Sequence, residues 1–425
     1  MKVRFEISLG LVFIAGAGFL AIGFYATPWV LRLVASAIGL VVLLPALLLL
    51  VWLLEAKRKR IITDLRMETW IVADDGEHNA FTDMLIWQDD FWLVYVSSPS
   101  HFASKKSRVV LLRSSDARNW QEVKKFDGAG QDIRDPKLGI IQGQLFLYAL
   151  LNKQFDPAPY QTIAAHSKNG LDWTPFEVVM AEGWLLGRSI TQDDMAWYAP
   201  AHHIDQGTVV VLRSNDGLDW NIQSTIFTGN DEHADETALH FLKDGGMVAV
   251  SRLEAGSAIF GSEKAATLIS TTAPPFQTWA QLARNTDNRL DSPNLFSVND
   301  KLYVVGRFQP RLNSAARNVK NSNSRNGLGL IFTKQQGNGS AFSQKRTAVF
   351  LVDEKTGNLM HLTDLPSAGD TAYAGVAIKD EKLFISYYTS DPYRDYPWLL
   401  GMLLPSRIQI SMLDLVNLQT QKDER

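Results

Sequence analysis

The chain has 425 residues, 46% hydrophobic and 20% charged, enough for a large core and a second element. A formal net charge of −3 leaves no electrostatic footprint for nucleic acid. The lack of cysteine excludes disulfides, thiolate nucleophiles and zinc–thiolate sites, and no cofactor or metal motif takes their place.

Two apolar runs come first, at 7–26 and 33–54. Each is long enough to cross a bilayer, and the short link between them predicts a transmembrane helical hairpin over residues 1–60. Lys2 and Arg4 precede the first run, Lys57, Arg58, Lys59 and Arg60 follow the second, and only Arg32 lies near the turn. The positive-inside rule therefore predicts an integral protein of the bacterial inner membrane, in contact with lipid, with the rest of the chain on the cytoplasmic side.

Residues 61–425 read as all-β. Short Val/Ile/Leu/Tyr/Trp runs alternate with Gly, Asp and Asn turns, and no long stretch keeps a helical period. Six segments share one plan, a polar start, an apolar run, a tight turn and a second apolar run: 81–97, 134–150, 187–203, 235–252, 290–307 and 370–388. The first five recur about every fifty residues, the length of a four-stranded propeller blade. The last gap is longer and holds an Asn/Ser-rich inserted loop at about 309–329. A six-bladed β-propeller follows.

Three turns end in tryptophan: RSSDARNW (113–120), HSKNGLDW (166–173) and RSNDGLDW (213–220). They fall between the outer two strands of their blades. Asp116, Asn169 and Asp216 are assigned to bond backbone within each turn, and Trp120, Trp173 and Trp220 to pack between blades, a structural staple rather than a site.

Blade starts line a propeller's channel, so their polar groups are predicted to meet at one mouth. They are Asp83, Arg134, Asp135, Arg188, Asp235, Glu236, Asp291, Asp370 and Tyr373, with His101, His202, His203, Arg252 and Arg307 at nearby strand ends. Assembling so many charges is costly without a ligand, although any one of them can equally serve to cap a strand.

The tryptophan turns resemble the Asp-box (BNR repeat) of sialidases, one residue shorter than the commonest spacing. With the blade starts RDPKL, DETALHFLKDGGMVAVSR and DTAYAGVAIKDEKLFISYY, the chain over roughly 75–415 resembles sialidase-like six-bladed propellers, including uncharacterised bacterial membrane-anchored members. The resemblance implies a glycoside hydrolase or other carbohydrate-active protein with a glycan or anionic small-molecule ligand. It implies an arginine clamp for the substrate carboxylate, a Tyr nucleophile made basic by a Glu, and an Asp acid/base. Carried over, Glu236 is the Glu, Arg252 the second arginine, Tyr373 the nucleophile, and Arg307 (or Arg289) the third arginine.

Two positions depart from the pattern. The first clamp arginine is replaced by Asp83 in FTD, and the acid/base loop, SSPSHFASKKSR, holds His101 and no carboxylate. These departures favour a non-catalytic ligand-binding or scaffold propeller, whereas the surviving Glu–Arg–Tyr set favours an enzyme. A third arrangement, in which RDP (134–136) resembles a motif of the five-bladed invertase-like and arabinanase-like glycosidases, uses Asp83, Asp135 and Glu236 as three blade-start acids; Arg134 and His101 join Arg252 and Arg307 as substrate-binding candidates of the mouth. Three lesser motifs are KRKR (57–60), NGS (338–340) and the apolar PWLLGMLLP (397–405), which either packs on the core or dips into a membrane.

Overall fold

The structure is a computed structural model that describes residues 15–21, 29–56, 65–153, 160–229, 231–256, 260–310 and 338–420. It divides into two compact units, Met1–Arg60 and Ile61–Arg425. The inserted loop and KRKR lie outside the described residues, apart from 309–310.

The first unit is helical at 15–21 and over Trp29–Ala56. Among the described residues no helix is long and apolar enough to cross a membrane. That finding overturns the predicted integral-membrane location. The transmembrane hairpin, the cytoplasmic placement and the lipid contact rested on the same two apolar runs. The rest of the first run lies outside the described residues.

The second unit is six antiparallel sheets. Blade I consists of His78–Trp87, Asp90–Ser98, Arg108–Ser114 and Gln121–Asp127. Blade II is Asp132–Ile141, Gln144–Asn152, Tyr160–Ser167 and Glu177–Val178. In blade III the inner strand is broken into Trp184–Leu186 and Ile190–Thr191, both paired with Trp197–His203, followed by Thr208–Ser214 and Asn221–Thr228. Blade IV is Glu232–Phe241, Met247–Ala255, Ala266–Thr272 and Ala280–Asn285. Blade V is Leu290–Val298, Lys301–Phe308, Arg346–Val352 and Leu359–Asp364. Blade VI is Thr371–Lys379, Lys382–Thr389 and Arg407–Asp414, and its outermost strand is Glu68–Ala73 from the start of the unit. That last pairing joins the two ends of the domain in one sheet and closes the ring.

The period of two explains the continuous apolar runs. Val210 and Leu212 face the blade II residues Phe146 and Tyr148, while Val209 and Val211 face Leu239 and Ala249 of blade IV. In the same way Met247 and Ala249 pack toward blade III, and Val248 and Val250 toward blade V. Every middle strand is buried on both faces, so neither face needs a polar residue. The core is a set of inter-blade seams rather than a single centre.

The three tryptophan turns sit between the third and fourth strands of blades I to III. Asp116 accepts the backbone N–H groups of Arg118 and Asn119, both at 2.8 Å. Asn169 and Asp216 repeat this with Leu171 and Asp172, and with Leu218 and Asp219. Each tryptophan Nε1–H closes its turn on a carbonyl: Trp120 on Ala117, Trp173 on Gly170, Trp220 on Gly217.

Gly170 has φ +76°, and a Cβ there would lie 2.1 Å from the Trp92 ring of blade I. Gly170→Ala should therefore cost about 2–4 kcal/mol, strain plus overpacking. Gly143→Ala, at φ +75° with open space around it, carries only the strain. Thermal denaturation of the two variants side by side checks this; equal losses would remove the steric share.

Candidate active-site mouth

Five of the six inner strands carry a β-bulge at the same place in the repeat: after Ala80, Arg134, Ala234, Asp291 and Ala372. Four of the residues that follow have left-handed backbone: Phe81 (φ 57°), Asp135 (51°), Ser292 (49°) and Tyr373 (49°). A bulge re-aims the side chain it displaces, and non-glycine residues hold such φ values only where the surroundings enforce them. Around the Tyr373 bulge, Thr82 Oγ1 donates to the Tyr373 carbonyl, and Asn294 Nδ2 donates to the Ala374 carbonyl at 2.8 Å.

The result joins three blades. Tyr373 Oη donates to Glu236 Oε1 at 2.5 Å. Glu236 also accepts Ser292 Oγ, the Ser292 N–H and Arg252 Nη1, each at 2.8 Å. Burial alone would raise the Glu236 carboxyl, but Arg252, Arg307 and the tyrosine hydroxyl bring it down to about 2. Burial and the nearby Asp135 and Glu236 carboxylates hold the Tyr373 phenol well above its usual value. The two shifts oppose passage of the phenol proton to Glu236.

Beside this pair lies an arginine cluster. Asp291 meets Arg307 Nε at 2.8 Å, Arg289 Nη2 at 2.9 Å and Arg252 Nε at 3.3 Å. Glu254 takes up Arg252 as well, and Arg289 at 2.5 Å. Arg307 further stacks on the Trp398 ring, 4.2 Å from its centroid. The guanidinium groups are thus occupied by carboxylates of the protein itself.

A cavity of about 80 Å³ opens beside Glu236. Polar side chains of Asp135, Lys137, Arg188, His202, Asp235 and Tyr373 line it, against Leu185, Leu186, Ile190 and Leu239. Lys137 is ion-paired to Asp135 and sits 4.8 Å from the centroid of the Tyr373 ring. Burial lifts the Asp235 carboxyl to about 8, Glu236 and Glu254 adding to the rise, and lowers the His202 imidazole to about 4.

No family model and no curated protein matches the chain. Solved structures do. A Dyadobacter fermentans protein of unknown function aligns over 84% of this chain and 98% of its own, at TM-score 0.59 and 13% identity. Hadza microbial sialidase Hz136 aligns over 80% and 66%, at TM-score 0.55 and 13% identity. Trypanosoma rangeli sialidase aligns over 85% and 60%, at TM-score 0.56 and 12% identity. The chain is a sialidase-like six-bladed β-propeller. At these identities the likeness concerns the fold.

In this sialidase-like propeller, Glu236, Tyr373 and Arg252 come together, and Asp135 lines the adjoining cavity. Asp83 is buried and spent elsewhere: Arg188 is ion-paired to it, and it accepts the N–H groups of Met84 (2.7 Å) and Leu138 (2.9 Å). Arg134 is paired with Asp132 and donates to the His101 carbonyl at 3.2 Å. His101 Nδ1 lies 2.7 Å from Asp370 Oδ2.

The 397–405 stretch is the helix Trp398–Leu403. Trp398 Nε1 donates to Asp370 at 2.8 Å, so the segment docks on the mouth. Asn338 of NGS is buried, with its Nδ2 donating to the carbonyls of Ala265 and Thr286. It is not available as a glycan acceptor in the fold.

Sequence reasoning missed Glu254, Ser292, His78 and Lys345. Glu254 had a signal: in a strand, residues 252 and 254 share a face.

Proposed function

We propose that the propeller binds a neutral sugar at the channel mouth and does not hydrolyse sialosides. The carrying observation is that Asp291 already sits among Arg252, Arg289 and Arg307. An incoming carboxylate would have to displace a tethered one at high effective concentration. The cavity instead offers Asp135, Asp235, Glu236, His202, Ser292 and Asn294, groups that suit hydroxyls. A solved Trypanosoma rangeli sialidase is described as in complex with sialic acid, which supports a glycan as the ligand class. The Tyr373–Glu236 contact supports the hydrolase alternative, but the direction of both shifts works against a tyrosinate nucleophile.

The test uses the full chain, a panel of neutral and sialylated oligosaccharides in thermal-shift and calorimetric titrations, and a fluorogenic sialoside. A neutral sugar should raise the Tm by mass action, Glu236→Gln should weaken it about tenfold or more, and the sialoside should remain intact. Sialoside turnover lost in Tyr373→Phe would establish the hydrolase instead. A flat response across the panel would reject the sugar site.

A further inference from the structure

Next to the mouth, across Phe81 from Tyr373, three ligand-type side chains meet. Asp370 Oδ2 lies 3.1 Å from His78 Nε2 and 2.7 Å from His101 Nδ1. The three atoms lie within 4.8 Å of one another. His78 and Asp370 are buried, while His101 keeps 19% of its side-chain exposure.

The tautomer of His78 follows from its other nitrogen. Nδ1 lies 2.7 Å from the Leu404 carbonyl, which can only accept, so Nδ1 carries the proton. In the neutral ring Nε2 is then a bare lone pair. It is fully buried, has no hydrogen-bond partner, and is turned toward an anionic oxygen. A lone pair facing a carboxylate at that distance is unfavourable, and either a proton or a metal cation between the two atoms relieves it. An imidazole anchored through one nitrogen on a backbone carbonyl, with the other free, is also how metal-ligating histidines are oriented.

Asp370 is anchored through its other oxygen. Oδ1 accepts Tyr388 Oη at 3.0 Å and Trp398 Nε1 at 2.8 Å, and Arg307 Nη1 stands 3.5 Å away. Oδ2 is left to the two histidines. Metal–ligand distances of about 2.1 Å would place the two N–metal–O angles near ~80° and ~95°. Those are the angles of three neighbouring positions of a six-coordinate ion, and the set of two imidazoles and one carboxylate suits first-row transition ions.

We infer that His78, His101 and Asp370 form a binding site for a six-coordinate divalent first-row transition-metal ion, with its open positions on the side of His101. The site is separate from the Glu236–Tyr373 pair and does not depend on a sugar ligand. Arg307 opposes a dication there, and the neighbouring Asp291 carboxylate offsets it.

The full chain, stripped with a chelator and dialysed, is titrated with Zn²⁺ and separately with Co²⁺. The expected result is one equivalent bound per chain, a rise in Tm, and visible cobalt absorption of a nitrogen- and oxygen-ligated ion. His101→Ala should lower the affinity about a hundredfold or more and abolish the cobalt spectrum, while His233→Ala, an exposed control, leaves both unchanged. His78→Ala empties a buried position and is read only if circular dichroism shows native fold. His101→Ala, at a partly exposed position, keeps the test decisive. No binding of either ion up to about 100 µM, or binding that survives His101→Ala, overturns the inference.

Discussion

Asp291→Ala will destabilise the propeller by about 3–5 kcal/mol, the range for removing one partner of a buried charge network. Asp291 is 2% exposed and, among the described residues, is the one carboxylate within 3.3 Å of all three of Arg252, Arg289 and Arg307. Burial alone would raise its carboxyl, but Arg289, Arg252, Arg307 and Lys345 hold it far below the usual carboxylate range. Without it, Arg252 and Arg289 keep Glu254, while among the described residues Arg307 keeps Asp370 at 3.5 Å and the Trp398 ring. Arg307 is therefore the group left uncompensated.

The same variant tests what the cluster can hold. Formate or acetate should raise the Tm of Asp291→Ala more than that of the native protein, at ionic strength matched with chloride. A carboxylate from solution would then occupy the position that Asp291 now fills. Denaturant unfolding within about 0.5 kcal/mol of the native protein would contradict the first claim. Equal responses to acetate would contradict the second.

The blades were legible because their signal is local. Apolar runs fixed by seams on both faces, Gly/Asp turns at regular spacing and Trp-closed turns each declare themselves within a dozen residues. Blade III was the weakest match for a physical reason: its inner strand is interrupted at Gly187–Arg188–Ser189, so no continuous apolar run exists to find. The Glu236–Tyr373–Arg252 grouping was legible only through resemblance, since the residues come from blades IV and VI.

Partner choice was not legible. Asp291 and Asp83 are both aspartates at a blade start, but they stand on opposite sides of the bulge, and one meets three arginines while the other meets Arg188 and two backbone amides. That difference is set by the bulges and by which neighbouring blade supplies the cation. His78 was passed over because its strand begins three residues before the FTD motif. The hydropathy of 7–26 and 33–54 suggested spans that the described helices do not support.

Native stability should fall as pH rises from about 4 to 8 relative to that of Asp235→Asn. Asp235 has its carboxyl raised from 3.8 to about 8, first by burial and then by Glu236 and Glu254, with Arg252 and Arg289 opposing. In that window the folded state keeps a proton that the unfolded chain releases. More protons are bound when folded, so the slope of stability against pH is negative, and the loss is complete above the folded value. The side chain keeps 24% exposure, so water screening trims the effect to about 2–4 kcal/mol. Glu236 has the opposite sign: its contribution is full above 4.5 and is lost as pH falls toward 2.

His202, lowered by burial from 6.5 to about 4, is neutral when folded but takes up a proton in the unfolded chain below about 6.5, so it adds a slope of the opposite sign there in both proteins. Taking the difference from Asp235→Asn cancels the other groups common to both proteins. Urea unfolding at steps from pH 5 to 8 measures it, and parallel profiles would contradict the shift. The split also bears on recognition. At neutral pH Asp235 retains a proton to donate, while Glu236 beside it is an ionised acceptor. A sugar hydroxyl both donates and accepts, so two successive carboxyl groups in opposite protonation states are matched to it in a way that two carboxylates are not. Sugar affinity should accordingly decline above about pH 8 in the native protein, and Asp235→Asn, which keeps a donor at every pH, should lose that decline.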